Sequence, residues 1–510
     1  MSSPVPGAAA GMSPVVRWLV LAVAAIGFLF DTYELLMLPV IARPALSELL
    51  QVPANNPLIR DWVGWMLWSA AVSGGVFGLL GGLLIDRFGR KSVMVAAILL
   101  YSLSPLAAAF STSALMLLVF RCTTFIGICV EFVAAITWLA ELFEDKKSRE
   151  LAIGWTQAFA SVGGLLVTGV NALTVKFAAD LPALPVEAPF NPHASWRYTL
   201  ISGLIPGALI LLLMPFVPES RAWSERKRAG TLRRPRFGEL FAPGLIRTTL
   251  VTTALSACAY AGAFGALQLT PAQVVPGLPQ VAQEQKELAP LRKEAAELNA
   301  KLLKTAPGSE ERKELMKQVG ANRKLQEPFD KPITQLGNEA QGWQEVGGLA
   351  GRILLAVLVV LIASRRTLLR AFLVPGLVAF PLTYYFLFRE QPDLFLFGVF
   401  FCGLCTVAQF SYFGEYLPKA FPLHLRGTGG SFATNVGGRM IGTSASVVTT
   451  GLVAPLLPGN TFVQVATAAA IVGASVYLLA LVLSFFLPEP ESETPAGLGA
   501  APPPEAPVQS

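Results

Sequence analysis

Four ionisable residues sit where apolar stretches should exclude them. Asp31 and Glu34 interrupt GFLFDTYELLMLP, and Arg121 and Glu131 interrupt the run 113–136. A charge within a hydrocarbon-length segment is costly, so such groups face a polar interior and mark proton relays or ion pathways. Asp31 and Glu34 are three apart and share a helix face. At 1.5 Å per residue, Asp31 lies roughly 20 Å from the start of its stretch and Arg121 about 12 Å from the start of its own. In antiparallel helices crossing a core of roughly 30 Å these depths are similar, so an Asp31–Arg121 contact is allowed. Protonating Asp31 would then free Arg121, and the unpaired charge would drive a rearrangement. Glu131, farther along, is placed to take the proton onward. A static ion pair is the competing reading for Asp31 and Arg121, and reach to the outer interface is the one for Glu34.

A second group has the chemistry to hold a solute. Trp155, Gln157 and Asn171 lie in the fifth stretch, Arg352 in the eighth, Gln409 in the tenth, and Asn435 and Arg439 in the eleventh. Arginine forks suit carboxylate or phosphate. Acids are missing at comparable depth in the second half, apart from Glu415 near the end of the tenth stretch. An acidic first half facing a basic second half implies proton coupling on one side and an anionic or hydroxyl-rich solute on the other. Against this, Arg352 can snorkel to the surface, and Gln157, Asn171 and Arg439 can serve in bonds between helices. All five cysteines fall in apolar stretches, Cys402 and Cys405 form a C-x-x-C without a nearby histidine, and only His193 and His424 are present. No metal, cofactor or enzymatic chemistry is expected.

These residues need helices to position them. The chain is 53% apolar and 14% charged, and its charge gathers between twelve apolar stretches, near 17–41, 61–85, 92–111, 113–136, 151–173, 198–216, 246–268, 346–364, 369–388, 394–417, 431–455 and 463–487. Stretches of this length span a bilayer as helices, and lipid satisfies no backbone polar group. The expected fold is an all-α membrane protein with twelve transmembrane helices. Lys and Arg crowd one side: Arg87, Arg90 and Lys91, then Lys146, Lys147 and Arg149, the run 221–236, Arg365, Arg366 and Arg370, and Lys419 and Arg426. That side is expected to be the cytoplasm. The reading is a multi-pass protein of the inner (plasma) membrane with both termini cytoplasmic. The net charge of +6 follows from this bias, without nucleic acid.

The domain expectation is a disordered tail at 1–16, a six-helix bundle at 17–217, a cytoplasmic linker at 218–245, a second bundle at 246–488 and a Pro-rich tail at 489–510. An outer insertion at 269–345 is out of proportion. Leu288, Leu291, Ala295, Leu298 and Leu302 alternate in spacings of three and four, an amphipathic seam. APGS (306–309) breaks it, and a second helical run follows from Glu310 to about Leu325, so a short hairpin is expected. A solvated spacer and a docking site for a protein partner are both open.

The turn after the second stretch reads Gly82-x-x-x-Asp86-Arg87-x-Gly89-Arg90-Lys91. Its full pattern resembles the signature loop of the major facilitator superfamily. Arg121, Gly127 and Glu131 look like the R-x-x-x-G-x-G-x-G-G-E stretch of that family's metabolite–proton symporters and sugar porter-like members, with Phe125, Cys129 and Val130 departing from its glycines. Glu141 and Arg149 match the acid and base closing the fourth helix, although Glu144 replaces a proline. VPESRAW (217–223) is similar to the P-E-S-P-R-W element, and YLPKAFPLHLRGTGG (416–430) to the Y-L-P-E run, with Lys419 replacing its Glu. A repeat agrees: a shift of 278 lays Trp138 on Tyr416 and Glu131 on Gln409, and a shift of 275 lays Arg90-Lys91 on Arg365-Arg366.

The resemblance implies two pseudo-symmetric six-helix bundles rocking around a midplane site. It also implies a cytoplasmic gate from Gly82, Asp86, Arg87, Gly89, Arg90, Lys91, Glu141, Arg149 and Arg426. There Asp86 caps the eleventh helix near Gly429–Ser431, and Arg87 or Arg90 pairs with Glu141. The implied activity is secondary active transport of a sugar or organic acid, with protons as the coupled partner. An exporter is the nearest rival, although the fifth stretch lacks the G-x-x-x-G-P of drug–proton antiporters. A non-transporting sensor or assembly protein working through the insertion is the other.

Overall fold

The computed structural model describes residues 13–52, 56–142, 156, 159–220, 224–225, 228, 237–305, 309–422 and 425–489. Within these the chain is helical, without strands. The first half comprises α1 (Pro14–Leu50), α2 (Pro57–Phe88), α3 (Arg90–Ala108), α4 (Ala114–Leu142), α5 (Ala160–Phe177) and α6 (Ser195–Phe216). The second half begins with α7 (Ile246–Gly277), α8 (Ala282–Lys304) and α9 (Glu310–Leu361). It continues with α10 (Arg365–Glu390), α11 (Phe395–Ala420), the helical segment 426–456 (α12) and α13 (Thr461–Leu483). All but α8 and α12 are long and apolar enough to cross a membrane. The twelfth crossing is α12, which alternates between α, π and 3-10 patterns.

Local chemistry sets the helix ends. Ser13 and Asn56 accept bonds from Val16 N and Leu58 N, with Pro14 and Pro57 in the first turn behind them, where a missing N–H costs nothing. Gly89 both ends α2 and starts α3 at φ 99°, a conformation natural to glycine. Thus the predicted tight turn forms with almost no connecting residue.

Three boundaries differ from expectation. Helix α1 runs on through Pro39 and Pro44 to Leu50, so Glu34 is fully buried rather than at an interface. Helical structure in α7 continues to Gly277, where Pro271, Gln273 and Pro276 dilute the apolar signal. The second hairpin arm does not stop near Leu325; it joins the eighth crossing as one helix of 52 residues. Pro328 and Pro332 would be breakers in isolation. Here Leu288 and Val281 pack on Ile333, and Arg292 of α8 binds Asp330 between the two prolines.

The two halves are tied near the end that carries the hairpin. Arg43 of α1 binds Asp330 at 3.0 Å and Thr334 at 3.3 Å. Arg323 donates to the Pro189 carbonyl at 2.8 Å, Arg60 to Gln464 at 3.1 Å, and Asn171 to Asn338 at 2.6 Å. Ser446 Oγ donates to the Gly64 carbonyl at 3.0 Å. These bonds between the halves all lie toward the hairpin face. A cavity of 540 Å³ lies beneath the hairpin, with Arg43, Glu48, Arg323 and Asp330 in its wall.

At the opposite, basic face, each half is braced internally. The Glu219 carboxylate accepts from Lys91 N at 3.0 and 3.2 Å, Lys91 Nζ donates to the Val217 carbonyl at 2.8 Å, and Trp138 Nε1 to the Pro218 carbonyl at 3.0 Å. In the second half Glu489 accepts from Arg365 N and Arg366 N at 2.9 and 3.0 Å. Arg366 Nε meets the Leu487 carbonyl, and the Tyr416 hydroxyl the Pro488 carbonyl, both at 2.5 Å.

Candidate functional site

Arg121 is buried, but it is not paired with Asp31. Its Nη1 and Nη2 donate at 2.6 Å each to the backbone carbonyls of Glu34 and Leu35. Pro39 explains the choice. In a helix the Leu35 carbonyl should receive residue 39's N–H, and proline has none. The guanidinium fills that orphaned acceptor and lies 4.9 Å from the Phe125 ring centroid. Its carboxylate neighbour is Glu34. Glu34 in turn presses on α6 at Gly203, where an added Cβ would come within 2.1 Å of Oε1. The expected Asp31–Arg121 pair is thereby corrected: Arg121 is held by the backbone carbonyls of Glu34 and Leu35, with the Glu34 carboxylate as its acidic neighbour and no ion pair to it.

Asp31 instead faces Glu131 of α4 and Arg439 of α12. Glu131 lies one turn nearer the basic face, its Oε1 2.7 Å from where a Cβ on Gly27 would sit. Both Asp31 oxygens and Glu131 Oε2 are buried without a hydrogen bond. Arg439 crosses from the other half. Its Nη1 donates to Asn435 Oδ1 at 2.6 Å, its guanidinium lies 5.3 Å from the Phe132 ring centroid, and Cys129 and Tyr260 also face it. Close approach of α2 and α12 makes this reach possible: an added Cβ on Gly78 would lie 3.0 Å from Asn435 Oδ1. With Glu131 facing Asp31 and Asp31 facing Arg439, two carboxylates share a site with one guanidinium; one negative charge is left over, and binding a proton neutralises it.

The other expected solute ligands scatter. Asn171 spends its amide on Asn338 and its carbonyl on the Thr199 hydroxyl, so it ties helices together. Arg352 donates to Ser411 at 3.1 Å. Gln409 is buried and donates to its own helix at the Cys405 carbonyl, 3.1 Å away. Asn435 and Arg439 come together. Trp155, Gln157 and Arg149 lie outside the described residues, as do the side chains of Gly82, Asp86, Arg87, Glu141 and Arg426; the gate pairing and the Asp86 cap are therefore not visible. Gly89, Arg90 and Lys91 form the α2–α3 junction, where Arg90 Nη1 donates to the Ile85 carbonyl at 3.3 Å.

Sequence reasoning missed Glu345. It sits one residue before the eighth stretch as read from hydropathy, yet it is 5% exposed and corrects the expectation that the second half lacks an acid at depth. Tyr260, which stacks on Phe264 with centroids 6.1 Å apart, was missed too. The run Gln341 to Glu345 carried a signal, because three amide or acid side chains next to an apolar stretch seldom face lipid. Among the described residues no cluster of His, Cys, Asp and Glu suits a metal ion.

Residues 18–289 match the family described as Major Facilitator Superfamily. A probable 4-methylmuconolactone transporter of Cupriavidus pinatubonensis is 28% identical over 42% of this chain and 47% of its own length. The 4-hydroxybenzoate transporter PcaK of Pseudomonas putida is 33% identical over 38% of each. Such matches span less than half of these curated relatives. Among solved structures, the partially occluded, inward-open xylose transporter XylE from E. coli superposes with a TM-score of 0.63 at 16% identity, covering 94% of this chain and 100% of that one. A D-xylose–proton symporter gives 0.61 at 18%, covering 93% and 99%. With the family match extending over more than half its length and the fold shared along nearly all of it, the chain belongs to the major facilitator superfamily.

Proposed function

We propose that this protein is a secondary active transporter that takes up a small organic solute together with a proton by alternating access. An organic acid is the favoured solute class and a sugar the second. The carrying observation is Arg439, a second-half cation facing the first-half acid Asp31, which in turn faces a second first-half acid, Glu131. A solute carboxylate entering between the halves competes with these acids for the guanidinium, and the released acids are neutralised by a proton. Solute and proton thus enter together, because either alone leaves a buried charge uncompensated. Arg121, clamped on the α1 backbone at Glu34 and Leu35, holds the segment of α1 that carries Asp31. The Lys and Arg bias supports an inner-membrane orientation with the hairpin outside and both termini in the cytoplasm. The interhalf bonds on the hairpin face fit a state closed to the outside. Named relatives that carry aromatic or muconate-type acids support the acid, and a named arabinose–proton symporter supports the sugar.

The test is uptake by purified protein in vesicles, with labelled 4-hydroxybenzoate, muconate and arabinose, with and without an inward proton gradient. Wild type accumulates one of them only with the gradient. Asp31→Asn is expected to abolish accumulation while keeping solute counterflow. Accumulation by Asp31→Asn at the wild-type level would refute the coupling role, and absence of uptake for every acid and sugar would refute the solute class.

A further inference from the structure

Glu345 is buried against the opposite half. It lies on α9, where its Oε1 accepts from the Nε2 groups of Gln341 and Gln344 at 2.9 Å each. Its Oε2 presses on Gly164 of α5, where an added Cβ would lie 2.3 Å away. On the same α9 face, seven residues on and hence roughly 10 Å toward the basic face, Arg352 is the charged group facing it. Arg352 is engaged with Ser411 of α11 at 3.1 Å and forms no ion pair with Glu345. Among the described residues, α1, α5, α7, α8, α10 and α11, all packed on α9, direct no other titratable group at Glu345. From α5 it meets the glycine, and Gly342 next to it meets Thr168.

Gly164 and Glu345 belong to different halves, so their contact exists only while α5 and α9 are together. Near the same seam Asn171 and Asn338 are also joined. When the helices part, water reaches the carboxylate and the ionised form is favoured. When they close, a charge is trapped against a glycine with two neutral amide donors and no ion pair, which is expensive.

We propose that Glu345 is the protonation site that licenses closure of the hairpin face. An O–H bond forms at the carboxylate with a proton from water on that face before α5 and α9 close. The proton returns to the same water when they part, so this group carries no net charge across the membrane. Gly164 sets the fit, because any larger side chain would hold the carboxyl away. The proposal rests on the alternating-access reading but needs no solute and no coupling at Asp31.

Spin labels at Lys176→Cys on α5 and Gln335→Cys on α9, both exposed positions, report closure by electron–electron distance measurement in full-length protein reconstituted into vesicles, with Cys122 replaced by Ser. Between about pH 5 and about pH 8.5 the wild-type ratio of short to long distances should fall by up to about tenfold per unit, as for one proton. Glu345→Gln should remain short throughout, and Glu345→Asp should keep a pH response. A pH response in Glu345→Gln equal to wild type, or a flat wild-type profile, would overturn the proposal. Uptake is measured separately: a protein that closes with pH and moves no solute would refute the transport reading alone. One that transports with a flat distance profile would refute this inference alone.

Discussion

Arg121 shows how a residue legible by type can be misread by partner. Its burial in a membrane-length helix was readable from hydropathy, as was the depth shared with Asp31. The partner depends on which acceptor lies nearest the fork, and Pro39 had already opened one at the Leu35 carbonyl. A proline four residues after a buried position is a sequence signal, but it acts only through the arginine of another helix. This predicts a coupled pair. Arg121→Lys cannot serve two carbonyls with a fork and should cost on the order of 1–3 kcal/mol, read as a lower thermal-unfolding midpoint in detergent. Pro39→Ala restores a backbone donor for Leu35, so adding it to Arg121→Lys should recover part of the loss. Strictly additive losses in the double variant would disprove the account. Asp31, Glu131 and Arg439 were each legible as buried charges, but their meeting was not, because Arg439 arrives from α12 across the Gly75 and Gly78 surface of α2.

At the scale of elements, the repeat reaches further than the alignment of Trp138 with Tyr416 suggested. Val217-Pro218-Glu219 closes the first half as Leu487-Pro488-Glu489 closes the second, and each glutamate caps the third membrane crossing of its own half. Each preceding carbonyl is held by a basic side chain, Lys91 or Arg366, and each proline carbonyl by an aromatic donor. The residues were in view; what stayed hidden was that six helices fold back far enough to bring the last residue of a half to its middle. Lys419 does not leave its half without an acid either, since Glu415 pairs with Lys419 at 2.5 Å and Arg365 at 3.4 Å. Burial tends to raise the Glu489 carboxyl, but the Arg366 N–H, the Ser364 hydroxyl and the Arg365 N–H outweigh it and hold the carboxyl below its usual range. A depressed folded value means stability that is present above the ordinary carboxylate range and lost as pH falls through the depressed one. Glu489→Gln should therefore lower stability at neutral pH by a few tenths to about 1 kcal/mol, the modest worth of an exposed cap. The gap from wild type should close on acidification toward about pH 3. A gap independent of pH, measured by thermal unfolding, would show that the carboxylate charge plays no part in the cap.

For the whole molecule, the hairpin was legible as an amphipathic insertion and its role was not, because its partner turned out to be its own chain. It grows from the second half and grips the first. A single oxygen of Asp330 holds Arg43 of α1 at 3.0 Å and Arg292 of α8 at 2.5 Å, and both arginines are more than nine-tenths buried. Removing that carboxylate leaves two guanidinium groups close together with nothing between them. Breaking a fully buried pair costs roughly 3–5 kcal/mol; Asp330 is about one-third exposed, so about 2 kcal/mol is a fair expectation. Arg292 loses the carboxylate in both states, so it is the cost of breaking the Arg43 pair that is confined to the closed hairpin face, because Arg43 leaves α8 and α9 when the halves part. Asp330→Asn should then shift the closed-to-open ratio toward open by roughly thirtyfold, seen as longer distances between labels at Lys176 and Gln335. Arg323→Ala gives up one bond to the Pro189 carbonyl, worth about 1 kcal/mol or roughly fivefold. The sign opposes that of Glu345→Gln, which favours closure, so combining Asp330→Asn with Glu345→Gln should restore an intermediate ratio that no longer responds to pH. If Asp330→Asn leaves the distances unchanged, the hairpin is a passenger on its face, and closure there belongs to the α5–α9 seam alone.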